Sequence, residues 1–525
     1  MDRRKFLSAQ RPPLPLPTTL TNNTPASKQG ASLLAAGGLE PYVPRAEKPW
    51  NAQRAAHLFR RAGFGCNWGD IQNALALSPG AIVDGLLSSE PLPSPPGNWV
   101  SQDYFQNSNA ASAQYATWLR ELQEWWFGLM ADPKNMLREK MVLFWHNHFV
   151  SEYQVVYYTQ YLYIQNQLFR EFAFGDFKEL TKRVTIDPAM LIYLDGYVSK
   201  AGNPNENYAR ELLELFAIGT GFYADGTPHY TEHDIIELAR ALTGWTPDRL
   251  SVRFNPASFD SSMKTIFGKS AGYGIQGKAE ADVIDLIFEQ VDKDVQQPRS
   301  AVFLCSKLYQ TFVHHEPNME IVAAMAQTLV ENNWSVKAVL KALLSSEHFF
   351  DENVMGALIK SPADFMLASV RGFNLQPTMA SSNRAVDRPE THDPITVMWY
   401  LSQWLFYPPN VKGWPGGRTW ISSVTAPLRV RYAKMWVEPI PNSLPYQFDP
   451  VAFITSLPDA DDVHKVLDNL ITLLLPVPLD EETKKVLLAE LLGGGFDYEW
   501  KPAQSAQKIR SCLVRLTSLA EFQLM

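Results

Sequence analysis

Two histidines separated by one asparagine, His146-Asn147-His148, sit inside the aromatic stretch FWHNHF at 144–149. Imidazole changes charge near neutral pH, so this residue type suits a metal ligand or a proton-transfer group. On a straight helix, positions two apart lie about 200° from each other. His146 and His148 therefore ligate one ion only if the helix unwinds there. The alternative is a pair of core histidines. Buried among Phe144, Trp145 and Phe149 they need hydrogen-bond partners, because an unpaired buried polar group is costly.

Carboxylates mark the next segments. In NPNENYARELLELF at 203–216, Glu206, Arg210 and Glu214 recur at i, i+4 and i+8, with Glu211 to one side. Left in water, such a stripe gains only a few tenths of a kcal/mol per pair, on the order of 0.2–0.5. Turned into a cleft, Arg210 would hold Glu206 and Glu211 ionised. A third segment, YTEHDIIELARALTGW at 230–245, carries a polar stripe of His233, Glu237 and Arg240, with Asp234 at its start. The two charged faces either meet across a cavity or both face water. Histidine plus carboxylates can bind a divalent metal or form an acid–base pair. The expected catalytic set is His146, His148, Glu206, Arg210, Glu211 and Glu237. The expected metal set is His146, His148 and Glu211. In PPNVKGWPGGRTW at 408–420, Trp414 and Trp420 suit protein or sugar contacts if exposed. If buried, they brace their loop.

Helices position these groups. Asp132-Pro133 offers an N-cap and a proline at the first helical position, which predicts a helix over 133–149. Asn203 or Asn205 caps a helix over 205–218, stopped by Gly219. Thr231 and Asp234 resemble a capping box opening a helix over 232–243. Lys360-Ser361-Pro362 reads as another helix start. Helical periods recur at 112–130, 153–174, 281–292, 299–314, 318–331, 335–346, 394–406 and 460–475. His314-His315 falls at a helix end on the surface. Residues 376–395 read as a loop. No strand alternation is sustained and no repeat recurs. The fold class is thus all-α, a multi-helix array around one large core, with a small irregular or β-hairpin insertion near 245–280. The expected organisation is a leader at 1–45, a main helical domain at 46–440 and a C-terminal helical lobe at 441–525, which can belong to the same domain.

Composition bounds the rest. The 525 residues are 46% hydrophobic and 19% charged, enough for a large core, and the 15 tryptophans point to a dense interior. A net charge of −8 gives no footprint for nucleic acid. No run of about 18 apolar residues is present to span a membrane. Cys66, Cys305 and Cys512 lie too far apart in sequence for a thiolate zinc motif, and an odd thiol would remain. No G-x-S-x-G elbow, H-E-x-x-H, phosphate-binding Walker loop or dinucleotide glycine fingerprint occurs. At the N-terminus, Arg3-Arg4 followed by Phe6-Leu7 resembles a twin-arginine export signal, although Pro12 to Pro17 intervene before the apolar Ala31–Leu39. That reading places the protein in the periplasm or outside the cell. The alternative is a disordered basic tail on a cytoplasmic protein.

With these segments identified, the chain resembles a bacterial family catalogued as domain of unknown function 1800. The resemblance rests on AAHLFRRAGFG at 55–65, FWHNHF at 144–149, NPNENYARELLELFAIG at 203–219, YTEHDIIELARALTGW at 230–245, KTIFG at 264–268 and PPNVKGWPGG at 408–417. In similar proteins His-Asp precedes the KTxxG segment, whereas here the pair is Phe259-Asp260, which counts against a mechanism needing a histidine there. The resemblance implies an exported protein. It also implies a partner encoded by a neighbouring gene, from an exported family related to sulfatases and phosphatases. It implies no activity. Two functions follow as expectations. One is a metal-assisted or acid–base enzyme acting on an envelope or extracellular polymer. The other is a non-catalytic envelope protein that binds a partner protein or a carbohydrate. Oligomeric state is left open.

Overall fold

Capped helical segments joined by short connections dominate the computed structural model, which describes residues 37–88, 90–375, 393–438 and 448–525. Among these residues 22 α-helices form and the strands make only two-stranded pairs, so the fold is mainly α as the periodicity predicts. Residues 1–36 of the expected 1–45 leader and the boundary at 440/441 lie outside the described residues, as does most of the 376–395 loop, whereas residues 37–45 are described, with Tyr42 buried and Arg45 paired with Glu347 at 2.6 Å. Among the described residues, no helix is long and apolar enough to cross a membrane.

One contiguous core runs from Tyr42 to Phe522. The C-terminal helices Val463–Leu474 and Ala506–Ser518 pack onto it. Arg60 ties the first of them by donating to Leu473 O at 3.0 Å, and Lys360 Nζ donates to Phe522 O at 2.7 Å near the chain's end. The insertion is confined to 245–282. Trp245–Asp248 pairs antiparallel with Ser251–Phe254, and Lys264–Ile266 with Lys269–Ala271, while Tyr273–Gly274 and Ala281–Asp282 form a short parallel pair.

Several predicted helices are shorter than their periodicity suggests. The 153–174 period splits into Tyr153–Val156 and Thr159–Glu171, because Tyr157 takes a left-handed φ of 68°. The 281–292 period shrinks to Val283–Phe288, since Asp282 is used as its N-cap. The 394–406 helix stops at Tyr400, followed by Ser402 at φ 75°. At 205–218 the chain is α-helical only from Glu206 to Glu211, then π-helical from Leu212 to Ala217. A π turn is rare and often marks a functional place. Sequence periodicity cannot distinguish it from α over six residues.

The FWHNHF segment ends the Met136–His148 helix, and a short 3₁₀ turn, Pro133–Asn135, leads into it under the Asp132 cap. Twelve of its thirteen residues are buried, so both helix faces meet protein. Glu139 and Arg170, each buried, join it to the Thr159–Glu171 helix through bonds of 2.7 and 2.8 Å. Removing one partner from such a buried pair costs on the order of 3–5 kcal/mol. Trp145, fully buried and stacked on Phe149 and Phe177, fixes the rotation of the helix.

Candidate functional site

The last turn of the Met136–His148 helix sends its two histidines in different directions. His146 is buried against Trp126, Phe406 and Trp414, with ring centroids 5.2–5.6 Å away. Its Nε2 has no hydrogen-bond partner, and burial drops its pKa to about 3. It is an uncharged core histidine. His148 has both nitrogens engaged. Nε2 lies 2.9 Å from Phe216 O, which can only accept, so Nε2 carries the proton. Nδ1 is then an acceptor and meets Lys307 Nζ at 3.1 Å. Burial first, then the positive Lys307, hold the His148 pKa well below its ordinary value.

Lys307 lies on the Arg299–Phe312 helix and also donates to Leu215 O at 2.8 Å. The carbonyls it and His148 use, Leu215 and Phe216, belong to the π turn of the NPNENYARELLELF segment. This widened helix end frees carbonyls that a cation and a ring N–H then satisfy. Nearby, Arg299 Nε takes Ile218 O at 2.8 Å and the His229 ring takes Gly219 O at 2.9 Å. Burial pulls the Lys307 ammonium down to about 7.

Asn147 faces the glycine-rich loop. Its Oδ1 accepts from Trp414 N at 2.7 Å, and its Nδ2 donates to Trp414 O at 3.2 Å. Gly413 makes this pairing possible. It has φ 77°, and a Cβ there would meet Asn147 Oδ1 and lie 2.8 Å from the Asn147 carbonyl. Trp414 and Trp420 are 4% and 6% exposed. Their expected exposure is therefore corrected: both are buried and brace the loop, because the turns at Gly413 and Gly416 fold the rings inward. Their remaining edges border a cleft.

That cleft, of about 710 Å³, runs between the Met136–His148 helix, the Arg299–Phe312 helix, the 358–364 segment and the 412–420 loop. Phe144, Asn147, His148 and Lys307 line one side, and Lys412 and Arg418 the rim. Lys140 pairs with Asp364 in its wall, over the Phe64 ring of the AAHLFRRAGFG segment at 4.9 Å. Asp364 also closes the capping box of the Pro362–Gly372 helix with Ser361, as the Lys-Ser-Pro helix start predicts.

The carboxylates distribute differently from the histidines. Arg210 bonds Glu232 and bridges to Glu206 at 3.4 Å and Glu214 at 3.8 Å, with Glu206 44% exposed. This is the solvated stripe. Glu211 is half-buried; burial and Glu214 raise its pKa while Lys412 lowers it. It stands near Lys412 but is not among the residues that line the cleft. Glu237 and Asp234 face neither water nor the cleft. Glu237 accepts from Thr265 N at 2.9 Å and pairs with Arg240 at 2.7 Å, and Asp234 accepts from Phe267 N at 2.7 Å. Arg240 in turn holds Asp260 at 2.9 Å. The polar stripe of the Glu232–Ala241 helix clamps the KTIFG hairpin. Phe259, standing where similar proteins have histidine, packs against Phe254.

His146, His148 and Glu211 are not gathered around one point, and among the described residues no three His, Cys, Asp or Glu side chains stand together as ligands. The residues present do not fit a divalent ion. Three groups at the cleft went unmarked in the sequence: Lys307, Lys140 and Asp364. Lys307 had a signal. It is the one charged residue inside RSAVFLCSKLYQTF after Arg299, with Phe303, Leu304 and Leu308 around it.

The described residues form a mainly helical protein with a cleft lined by Lys140, Lys307, Lys412 and Arg418 beside the FWHNHF and PPNVKGWPGG segments. The chain belongs to the family described as Protein of unknown function (DUF1800), whose model matches residues 57–524. No curated protein and no solved structure matches it.

Proposed function

We propose that the protein is an acid–base enzyme acting on an envelope or extracellular polymer, with Lys307 as the proton-transfer group in the cleft. One observation carries this reading. Lys307 opens on the cleft with a pKa pulled to about 7, beside a His148 that cannot share its charge. A lysine poised near neutral pH is suited to take and return a proton, and such shifts concentrate at functional sites. His148 acts as a positioning residue: its Nδ1 and Leu215 O fix two of the ammonium's three N–H directions and leave the third for a ligand. Of the two enzyme types the sequence suggests, this is the one the side-chain geometry supports, since the expected metal ligands are dispersed.

Export to the periplasm or the outside, resting on Arg3-Arg4, belongs to this proposal, as does a partner from the sulfatase- and phosphatase-related family. Acylation of lysines across a pH series, resolved by peptide mass spectrometry, tests the central point. Lys307 is expected to reach half-reactivity near pH 7. A midpoint in the ordinary lysine range near 10 would overturn the acid–base reading and leave the binding one, in which the same cleft takes a partner or a carbohydrate without turnover.

A further inference from the structure

A second hollow of about 330 Å³ adjoins the cleft, and the two share His315, Leu358, Ile359, Gly417 and Arg418 in their walls. Together they make one elongated groove. Its floor is the irregular strip 353–361, whose outer side lines the hollows. The inner side of that strip holds an excess of positive charge. Arg61 donates to Val354 O, Arg429 donates to Lys360 O at 2.9 Å, and Lys360 itself points inward to Phe522 O.

Arg60, Arg61, Lys360 and Arg429 are all buried, and Asp364 is the carboxylate in electrostatic reach of Arg61, Lys360 and Arg429. Asp364 is already paired with Lys140. Several guanidinium nitrogens in this layer, Arg60 Nη1, Arg61 Nε and Nη1, and Arg429 Nε, have no partner. Burial lowers Arg61 only to about 9 and Arg60 and Arg429 to about 10, so these three stay charged at neutral pH, whereas Lys360, pulled to about 7, carries part of a charge. Uncompensated charge in a low-dielectric floor projects its field into the groove above. The exposed Lys412 and Arg418 extend the same sign along the rim, against Glu316 and, beside Lys412, Glu211.

From these placements we infer that the groove binds an acidic polysaccharide, a chain of sugar rings bearing carboxylate or sulfate groups. The elongation calls for a polymer, and the charged floor and rim call for anions. Gln310 donates to His315 O and Thr311 to Lys307 O, which leaves the Gln310 amide oxygen and the Thr311 hydroxyl lone pairs to accept from sugar hydroxyls. Nucleic acid fits less well, because bases need open aromatic faces to stack on, and Trp414 and Trp420 are both buried.

The inference rests on the cleft being the functional site, and two measurements keep the readings apart. The Lys307 acylation midpoint is read without ligand, while the test here is read without turnover. Calorimetric titration of the full chain would use four probes: hexameric oligogalacturonate, a heparin hexasaccharide, maltohexaose and a single-stranded oligodeoxynucleotide. Oligogalacturonate or the heparin fragment, or both, should bind with salt-sensitive affinity, and the pair would tell carboxylate from sulfate. Maltohexaose should bind at least tenfold more weakly, about 1.4 kcal/mol or more. The double variant K412A/R418A changes only exposed side chains, and it should weaken the acidic ligand about tenfold with an unchanged melting temperature. Failure of both acidic oligosaccharides to bind, equal binding of maltohexaose, tighter binding of the oligodeoxynucleotide, or an unaffected double variant would each overturn the inference.

Discussion

His148 Nδ1 and Lys307 Nζ stand 3.1 Å apart although 159 residues separate them in the chain. The bond fixes the imidazole's tautomer from one side while Phe216 O fixes it from the other. It also joins the FWHNHF helix to the Arg299–Phe312 helix across the π turn of the 203–219 segment. The contact ties two marked segments to a residue that neither contains.

The first prediction concerns Lys307 and pH. Its folded pKa of about 7 lies below the roughly 10.4 of an unfolded lysine. Between these values the unfolded chain binds the extra proton, so stability rises with pH across that window and the cost is fully present below it. Lys360, also near 7 from burial and then from Arg60, acts in the same sense. Lys307→Met should remove one proton's share of the slope, about 1.4 kcal/mol per pH unit. Urea denaturation at several pH values from 7 to 10 measures it; an unchanged slope would show that the lysine titrates normally.

Acid should destabilise the protein for a different reason. His57, His146 and His148 are buried and uncharged, with pKa values held down chiefly by burial. Unfolding below about pH 6.5 lets each take a proton, so stability falls as pH falls through that range. Asp187 opposes them, because burial raises its pKa to about 7 and the folded chain then holds a proton that the unfolded chain releases. These four groups together give a net uptake on unfolding near pH 5 of about two protons, to which His348, also lowered by burial, adds. His146→Leu should lower that uptake by about one and leave stability at pH 7 equal or higher, since it removes an unpaired buried nitrogen. Denaturant titrations with the variant at pH 5 and pH 7 give both numbers.

Gly413→Ala should be costly for its size. The left-handed φ and the collision with Asn147 together predict a loss of about 1–3 kcal/mol. The same change should loosen the loop that carries Lys412 and Arg418. Protease cutting near 408–420 would report this separately from the melting temperature. A variant as stable and as protease-resistant as the parent would remove the Asn147–Gly413 approach as a structural requirement.

The two charged stripes should separate on mutation. Arg210→Ala removes only exposed ion pairs and should leave the melting temperature unchanged within error. Glu237→Ala leaves Thr265 N without its acceptor and takes one of two carboxylates from Arg240, which keeps Asp260, and should cost about 1–3 kcal/mol. If the two variants melt alike, the clamp on the KTIFG hairpin is not load-sharing.

Local pattern in the sequence determined the helices, their caps and the class of fold. Asn205 and Thr231 cap helices as predicted and the helix predicted to start at Lys360-Ser361-Pro362 does so under Ser361, while Asp132 caps the 3₁₀ turn that leads into its helix, because a cap is a contact between residues two or three positions apart. The 245–280 insertion was legible from its composition for the same reason. Burial was not legible at this level. Trp414 and Trp420 in a Gly/Pro loop read equally as exposed contacts or buried braces, and their inward turn depends on Asn147 meeting Trp414 across 267 positions. Glu237 and Glu206 look alike on a helical wheel, yet one binds a hairpin and the other water. Only the tertiary structure decided which histidine is core and which faces the cleft, and it brought in Lys307 as the group that matters beside it. The physical reason is distance: short-range hydrogen bonds are encoded in adjacent residues, whereas desolvation and charge are set by whatever the rest of the chain packs against them.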